Sequence, residues 1–170
     1  VVTLMALRDF PEGEYLVFAT ADGTIKKSSL AAYANIRANG LIALNIDEGN
    51  SLVAVRRSTG QQQIVLATAQ GKAIRFPEED VRATGRATTG VRGMKLAPKD
   101  HIVDMEVADP LPDLPEGVEP DESTEDHGML LTVCEKGYGK RSLLQDYRLQ
   151  GRGGRGAINT RAGARNGQVV

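Results

Sequence analysis

LVFATADGTIKKSSL (16–30), IVLATAQGKAIRFPE (64–78) and LLTVCEKGYGKRSLL (130–144) are one pattern written three times. Each is a short apolar run, a turn closed by glycine, and a strand carrying a cation. Gly23, Gly71 and Gly137 stand where a tight hairpin turn needs positive φ. Four residues beyond each glycine comes Lys27, Arg75 or Arg141. Each repeat then passes a second glycine, Gly40, Gly90 or Gly156, into an alternating strand: LIALNI (41–46), VRGMKL (91–96) or GAINTR (156–161). The first two repeats end in a closing strand, LVAV (52–55) or IVDMEV (102–107). Period-two alternation and β-branched runs favour strands throughout, and only the stretches after each cationic strand, such as 29–38, leave room for a helical turn.

The first two turn glycines lie 48 residues apart and the next two 66, an excess of 18 that equals the length of the acidic, proline-rich stretch 109–126. That stretch reads as an insertion, extended and disordered, because it cannot bury enough apolar area to offset its ordering entropy. Four short strands repeated every 45 or so residues predict an all-β, propeller-like array of about three four-stranded blades. The expected boundaries are a closing strand at 1–9, blades at 10–59, 60–108 and 127–170, and the insertion at 109–126. The opening VVTLMAL resembles a closing strand and the final QVV the start of another, which with the absent initiating Met suggests a segment of a longer polypeptide.

Composition narrows the function. Only 4% of residues are aromatic and none is Trp, so the core must come from aliphatic side chains and Met. No run approaches the length of a membrane helix, and no secretion leader opens the chain, so a soluble, cytoplasmic protein without a membrane partner is expected. A lone Cys134 and two separated histidines, His101 and His127, argue against a disulfide scaffold or a metal centre. The net charge of −1 conceals a segregation: residues 109–126 hold eight acids and no Lys or Arg, and the rest of the chain carries +7. From 130 onward eight basic residues face only Glu135 and Asp146. Arg outnumbers Lys fourteen to seven, and its planar fork of donors suits phosphate, so a polyanionic partner is expected.

Several motifs fail on context. Gly151, Gly153 and Gly156 spell G-x-G-x-x-G, yet no helix opens there and no acid follows Asp146. GRATTGVR (85–92) lacks the Lys and Ser/Thr of a phosphate loop. Glu78, Glu79 and Asp80 read as a solvated turn, and Tyr147 as a packing residue at a blade edge. No nucleophile elbow or acid–base pair is visible, so no catalytic residue is expected.

The glycine–arginine segments remain. Cations at equivalent places form the candidate contact set: Lys26, Lys27, Arg75, Lys140 and Arg141 on the hairpins; Arg37 in YANIRANG; Arg82, Arg86 and Arg92 in VRATGRATTGVRGMKL; and Arg148, Arg152 and Arg155 in RLQGRGGRG. One surface Arg in a salt bridge is worth at most about 1 kcal/mol. Recurrence at one place per repeat instead predicts a curved basic track. A duplex following it would bend at a cost of about 1 to 6 kcal/mol, offset by phosphate contacts and counterion release.

FATADGTIKKSSL, LATAQGKAIRFPEEDVRATGRATTGVRGMKL and KGYGKRSLLQDYRLQGRGGRG together closely resemble the DNA gyrase A C-terminal domain, over essentially the whole chain apart from the acidic stretch. The resemblance implies a β-pinwheel whose basic rim wraps double-stranded DNA and presents it for strand passage in ATP-dependent negative supercoiling. It also implies a parent chain that assembles with gyrase B, near the nucleoid. ATP, Mg and the catalytic tyrosine would then lie outside these residues, leaving this segment without a cofactor. QGRGGRG (150–156) looks like the family's Q-R-R-G-G-K-G box, but its place in the repeat order suits a later blade. The related chain of topoisomerase IV and a protein-interaction scaffold are the alternatives.

Overall fold

A computed structural model describes residues 1–35, 38–111 and 128–170. The three hairpins stand where the repeat places them: β1 (Tyr15–Thr20) with β2 (Thr24–Ser29), β4 (Gln63–Thr68) with β5 (Lys72–Pro77), and β8 (Met129–Val133) with β9 (Gly139–Leu143). Their turn glycines adopt φ of +88°, +84° and +78°, the region that L side chains disfavour. Each hairpin runs into a single 3-10 turn, Leu30–Tyr33, Glu78–Asp80 or Leu144–Asp146, which is the helical turn the sequence leaves room for.

The remaining strands are β3 (Leu52–Ser58), β6 (Val91–Arg92), β7 (Ile102–Ala108) and β10 (Ala157–Ile158). Two sheets have the orders β3-β1-β2-β6 and β10-β5-β4-β7, and the third holds β8-β9 alone. Four strands per blade holds for two of the three sheets, and in neither do all four strands come from one repeat. β6 belongs to the second repeat and pairs with β2 of the first, Thr24 opposite Arg92. β10 belongs to the third and pairs with β5 of the second, Ala157 opposite Ala73. Each of these sheets takes its outer strand from the repeat that follows it.

The closing strands β3 and β7 pair with β1 and β4 and share a register shift at the same place, Ala19/Thr20 and Ala67/Thr68. They also lie against each other, where Arg56 reaches Asp104 at 3.2 Å and Glu106 at 3.4 Å. The closing strands thus form the inner edges of the blades, and β6 and β10 the outer ones. Val169 makes an isolated bridge to Cys134 and the Val170 amide donates to the Val133 carbonyl at 3.1 Å, beside β8 as β3 and β7 lie beside β1 and β4.

The core lies between blades rather than within them. Val17, Ala19, Ile25 and Ala54 of the first meet Ile64, Leu66, Ile74, Phe76, Met94, Ile102 and Met105. Phe76 is the one aromatic side chain of this aliphatic cluster. On the opposite face of the first blade, Met5, Leu7, Ala43 and Leu44 cover Leu16, Phe18 and Leu30. Residues 112–127 lie outside the described residues, and with them the expected disorder of the acidic stretch. No helix among the described residues is long and apolar enough to cross a membrane.

Candidate nucleic-acid interface

Three predicted contacts are corrected by the structure. Lys26, Lys27 and Arg75 are 1%, 6% and 7% exposed. The Lys27 ammonium donates to the Glu78 carbonyl at 3.1 Å and pairs with Glu78 Oε1 at 3.4 Å. The Arg75 guanidinium repeats the move one blade on, donating to the Leu144 carbonyl at 3.0 Å. These cations fasten each blade to the next and are turned away from any duplex outside. Glu78 is corrected too. Its neighbours Glu79 and Asp80 are exposed as a solvated turn requires, but Glu78 is fully buried at the position that Leu30 and Leu144 occupy in the other repeats.

Lys26 fastens a different part. Its ammonium donates to the Ala43 carbonyl at 2.7 Å and to the Arg86 carbonyl, and lies 5.4 Å from the Phe18 ring centroid. It therefore anchors the loop that carries Arg86. Burial pushes its pKa down from 10.5 to about 8. Between those values the unfolded chain holds a proton that the folded chain has released, so this site's contribution to stability rises with pH across the window. Denaturant melts from pH 7 to 10 are expected to show that rise in the native chain and a flatter profile in Lys26→Met; equal slopes would contradict it.

The exposed cations sit on the outer edge. Ala83 bridges in parallel to Lys27, and Leu149 to Arg75, so the loops that follow run along equivalent strands of successive blades. Arg82 matches Arg148 and Arg86 matches Arg152 in these loops; Arg86 is half-buried and the other three are exposed. Glycine lets the loops close onto the sheet: a Cβ at Gly90 or Gly156 would fall on the Ile25 or Ala73 carbonyl. The two repeats then meet. Arg152 donates from Nη1 to the Arg92 carbonyl at 3.1 Å and from Nε to the Asp80 carbonyl at 2.8 Å, and the Lys95 amide donates to the Gly154 carbonyl at 2.8 Å.

Beside this junction lies a cavity of about 410 Å³ lined by Lys72, Lys95, Leu96, Ala97, Pro98 and Arg155. Three cations and no acid line it. Sequence reasoning chose Arg155 but missed Lys72 and Lys95; the available signal was the position of Lys72 immediately after a turn glycine and of Lys95 just past an outer strand. Arg92, Arg152 and Arg155 are thus brought together, and Arg82 and Arg148 are exposed at equivalent places in the two loops. Lys140 and Arg141 are exposed on β9, Lys140 donating to the Asn159 carbonyl at 3.0 Å. Arg37 lies outside the described residues. Ion pairs among the described residues use Lys27, Arg56 and Arg57, and none takes a cation from the outer edge. Such a surface can do electrostatic and hydrogen-bonding work on phosphates. Tyr147 is buried with its hydroxyl donating to Asn159 Oδ1 at 2.6 Å, a packing role as expected.

Comparison with known proteins agrees with this geometry. The family described as DNA gyrase C-terminal domain, beta-propeller, matches residues 14–59, 62–109 and 128–165, one stretch on each repeat. The gyrase A polypeptide of Staphylococcus epidermidis is 39% identical over 171 aligned residues, which cover 100% of this chain and 18% of that relative. The chain therefore spans less than a fifth of that protein's length. Among solved structures, a DNA gyrase A C-terminal domain superposes with a TM-score of 0.78 at 25% identity, over 96% of this chain and 50% of the other. The C-terminal domain of DNA topoisomerase IV gives 0.80 at 24% identity, over 99% and 48%, a likeness of fold. With three matched stretches falling on three glycine-turned hairpins, this chain belongs to the family of DNA gyrase C-terminal domains.

Proposed function

We propose that the chain is a non-catalytic, DNA-wrapping module that bends duplex DNA along the outer edges of its blades. The observation that carries this reading is the meeting of the second and third repeats' loops. They set Arg92, Arg152, Arg155, Lys72 and Lys95 on one surface, next to a cavity lined by three cations and no acid. Contacts of this kind hold phosphates, so affinity depends steeply on salt and weakly on sequence. The relatives' name favours gyrase over topoisomerase IV as the parent activity. On that reading the parent polypeptide works in the cytoplasm at the nucleoid, in a heterotetramer with gyrase B. ATP and Mg are bound elsewhere in that complex, and the bent DNA is delivered for strand passage in negative supercoiling.

The test is topological. Nicked circles ligated in the presence of the chain are expected to retain a shift in linking number after deproteinisation, and an unshifted distribution overturns wrapping. Lys95→Ala with Arg155→Ala changes only exposed side chains. It is expected to weaken binding to all duplexes alike and to lower the salt slope by about 0.9 for every phosphate no longer neutralised. An unchanged slope removes this cavity from the interface.

A further inference from the structure

Four-residue turns lead into the closing strands β3 and β7, and the first two repeats build them alike. The Asn50 amide donates to the Asp47 carbonyl and the Asp100 amide to the Ala97 carbonyl, each at 3.1 Å. The fourth residue of each turn then clasps a hairpin. Asn50 Oδ1 accepts from the Asp22 amide at 3.2 Å, and Asp100 Oδ1 from the Gln70 amide at 3.0 Å. The Ala21 and Ala69 amides complete the match by donating to the Ser51 and His101 carbonyls, both at 2.9 Å. Asp47-Glu48-Gly49-Asn50 and Ala97-Pro98-Lys99-Asp100 are thus one turn in two sequences.

Their third positions differ in kind. Gly49 has φ of +82°, and Lys99 has +63°, the one non-glycine residue with positive φ among the described residues. A type II turn takes positive φ at its third residue, which favours glycine there, and accepts proline at its second. Pro98 obeys that preference and Lys99 violates it. An L side chain in this region bears a steric penalty that glycine escapes. The first repeat shows that glycine closes this turn, so the fold itself does not call for a lysine. Strained residues of this sort concentrate where the side chain has work to do.

The strained turn is also one wall of the cationic cavity, which Ala97 and Pro98 line together with Lys72, Lys95 and Arg155. Lys99 follows directly on that wall and is exposed, and the ion pairs among the described residues do not use it. Its acidic neighbour is engaged elsewhere, since Asp100 Oδ1 also accepts from the His101 amide at 2.9 Å. Gln70 Nε2 donates to the Pro98 carbonyl at 3.3 Å, so the backbone that presents Lys99 is pinned on both sides. A pinned backbone leaves only the side chain to be ordered on binding. In the first repeat the same turn carries Asp47 and Glu48, which repel phosphate, and the feature is confined to the second.

We infer that Lys99 is a phosphate contact of the bound duplex, kept in left-handed backbone at a cost in stability. The inference rests on the DNA-wrapping reading and adds a place to it. The turn is clasped to Gln70, immediately before the turn glycine Gly71, and Lys72 follows that glycine. At the second repeat the duplex therefore extends from the outer edge toward the turn end of the β4-β5 hairpin, where Lys72, Lys95, Lys99 and Arg155 receive its phosphates. The ammonium of Lys99 serves as a point charge for a phosphate oxygen, with no sequence preference of its own.

The test sets stability against binding in urea melts and in duplex titrations over a salt series. Lys99→Gly is expected to melt at a higher urea concentration than the native chain, because the strain leaves with the side chain. The same variant is expected to bind a duplex several-fold more weakly at low salt, with a slope of log K against log salt shallower by about 0.9. Lys99→Ala is expected to share the loss of binding without the gain in stability, and Lys99→Arg to keep both affinity and slope. A Lys99→Gly chain with native affinity and slope overturns the inference. So does one that melts no later than the native chain, since the lysine would then carry no penalty. Failure of the wrapping reading looks different: the native chain itself would leave the linking number of ligated circles unshifted, whereas failure of this inference leaves the native chain wrapping and its Lys99 variants binding as it does.

Discussion

Glu78→Ala is expected to destabilise the chain by about 3 to 5 kcal/mol, the usual cost of leaving a buried charge without its partner. The Glu78 carboxylate lies 3.4 Å from the Lys27 ammonium and also accepts from Ser58 Oγ at 2.6 Å, the Gly60 amide at 3.1 Å and the Gln62 amide at 3.2 Å. One side chain thus ties the end of β3, the loop before β4 and a cation of the preceding blade. Its removal strands Lys27, whose ammonium keeps the Glu78 backbone carbonyl and the Tyr15 ring 4.9 Å away but no counter-charge. The other repeats suggest the remedy, because Leu occupies this position in both. Lys27→Met with Glu78→Leu removes both charges at similar volume and is expected to recover a large part of the stability, leaving the cost of the unsatisfied amides. Urea melts of the single and double variants measure this. A double variant as unstable as Glu78→Ala would place the effect in the loop hydrogen bonds and not in the ion pair.

Gly71→Ala is expected to cost far more than Gly137→Ala, although both are hairpin-turn glycines with nearly the same φ, +84° and +78°. Left-handed backbone alone costs an L residue about 1 to 2 kcal/mol, and at Gly137 a Cβ meets nothing within 4 Å, so Gly137→Ala in this chain bears that cost alone. At Gly71 the added methyl would also fall on the Thr160 backbone carbonyl, well inside van der Waals contact. Backbone cannot swing aside as a side-chain tip does, so the strand entering from the third repeat must lift. Hydrogen exchange is the sharper measurement, since the Asn159 and Thr160 amides both donate to Gly71. Their protection is expected to collapse in Gly71→Ala and to persist in Gly137→Ala; equal melting of the two variants would contradict the strand's close approach.

What the sequence shows and what it hides follow from the range of the forces involved. The hairpins were readable because turn glycines and apolar runs act locally, and the 3-10 turns because the stretches after the cationic strands lose the strand alternation. Strand exchange was not, since period and alternation say that 91–92 and 157–158 are strands but not which hairpin receives them. The cations divided for a related reason. Lys26, Lys27 and Arg75 lie on strands covered on both faces, and a cation there reads from sequence like any solvated one. The acid at 78 was the available clue, an anion in a leucine's place that calls for an interior partner. Arg82, Arg148, Arg152 and Arg155 are exposed because their glycine-rich loops have no apolar face to bury. The cavity with Lys72 and Lys95 needed coordinates, because it joins a turn, the exit of one outer strand and the loop before another.

The offset between repeats in the gene product and sheets in space also bears on how such arrays change in number. A duplication or deletion of one repeat adds or removes a hairpin together with the strand it gives backward, while the hairpin before it simply receives the equivalent strand from the next repeat along. The seam heals without any breakpoint having to respect a sheet, so blade number can drift during descent while every surviving sheet keeps a full set of mates.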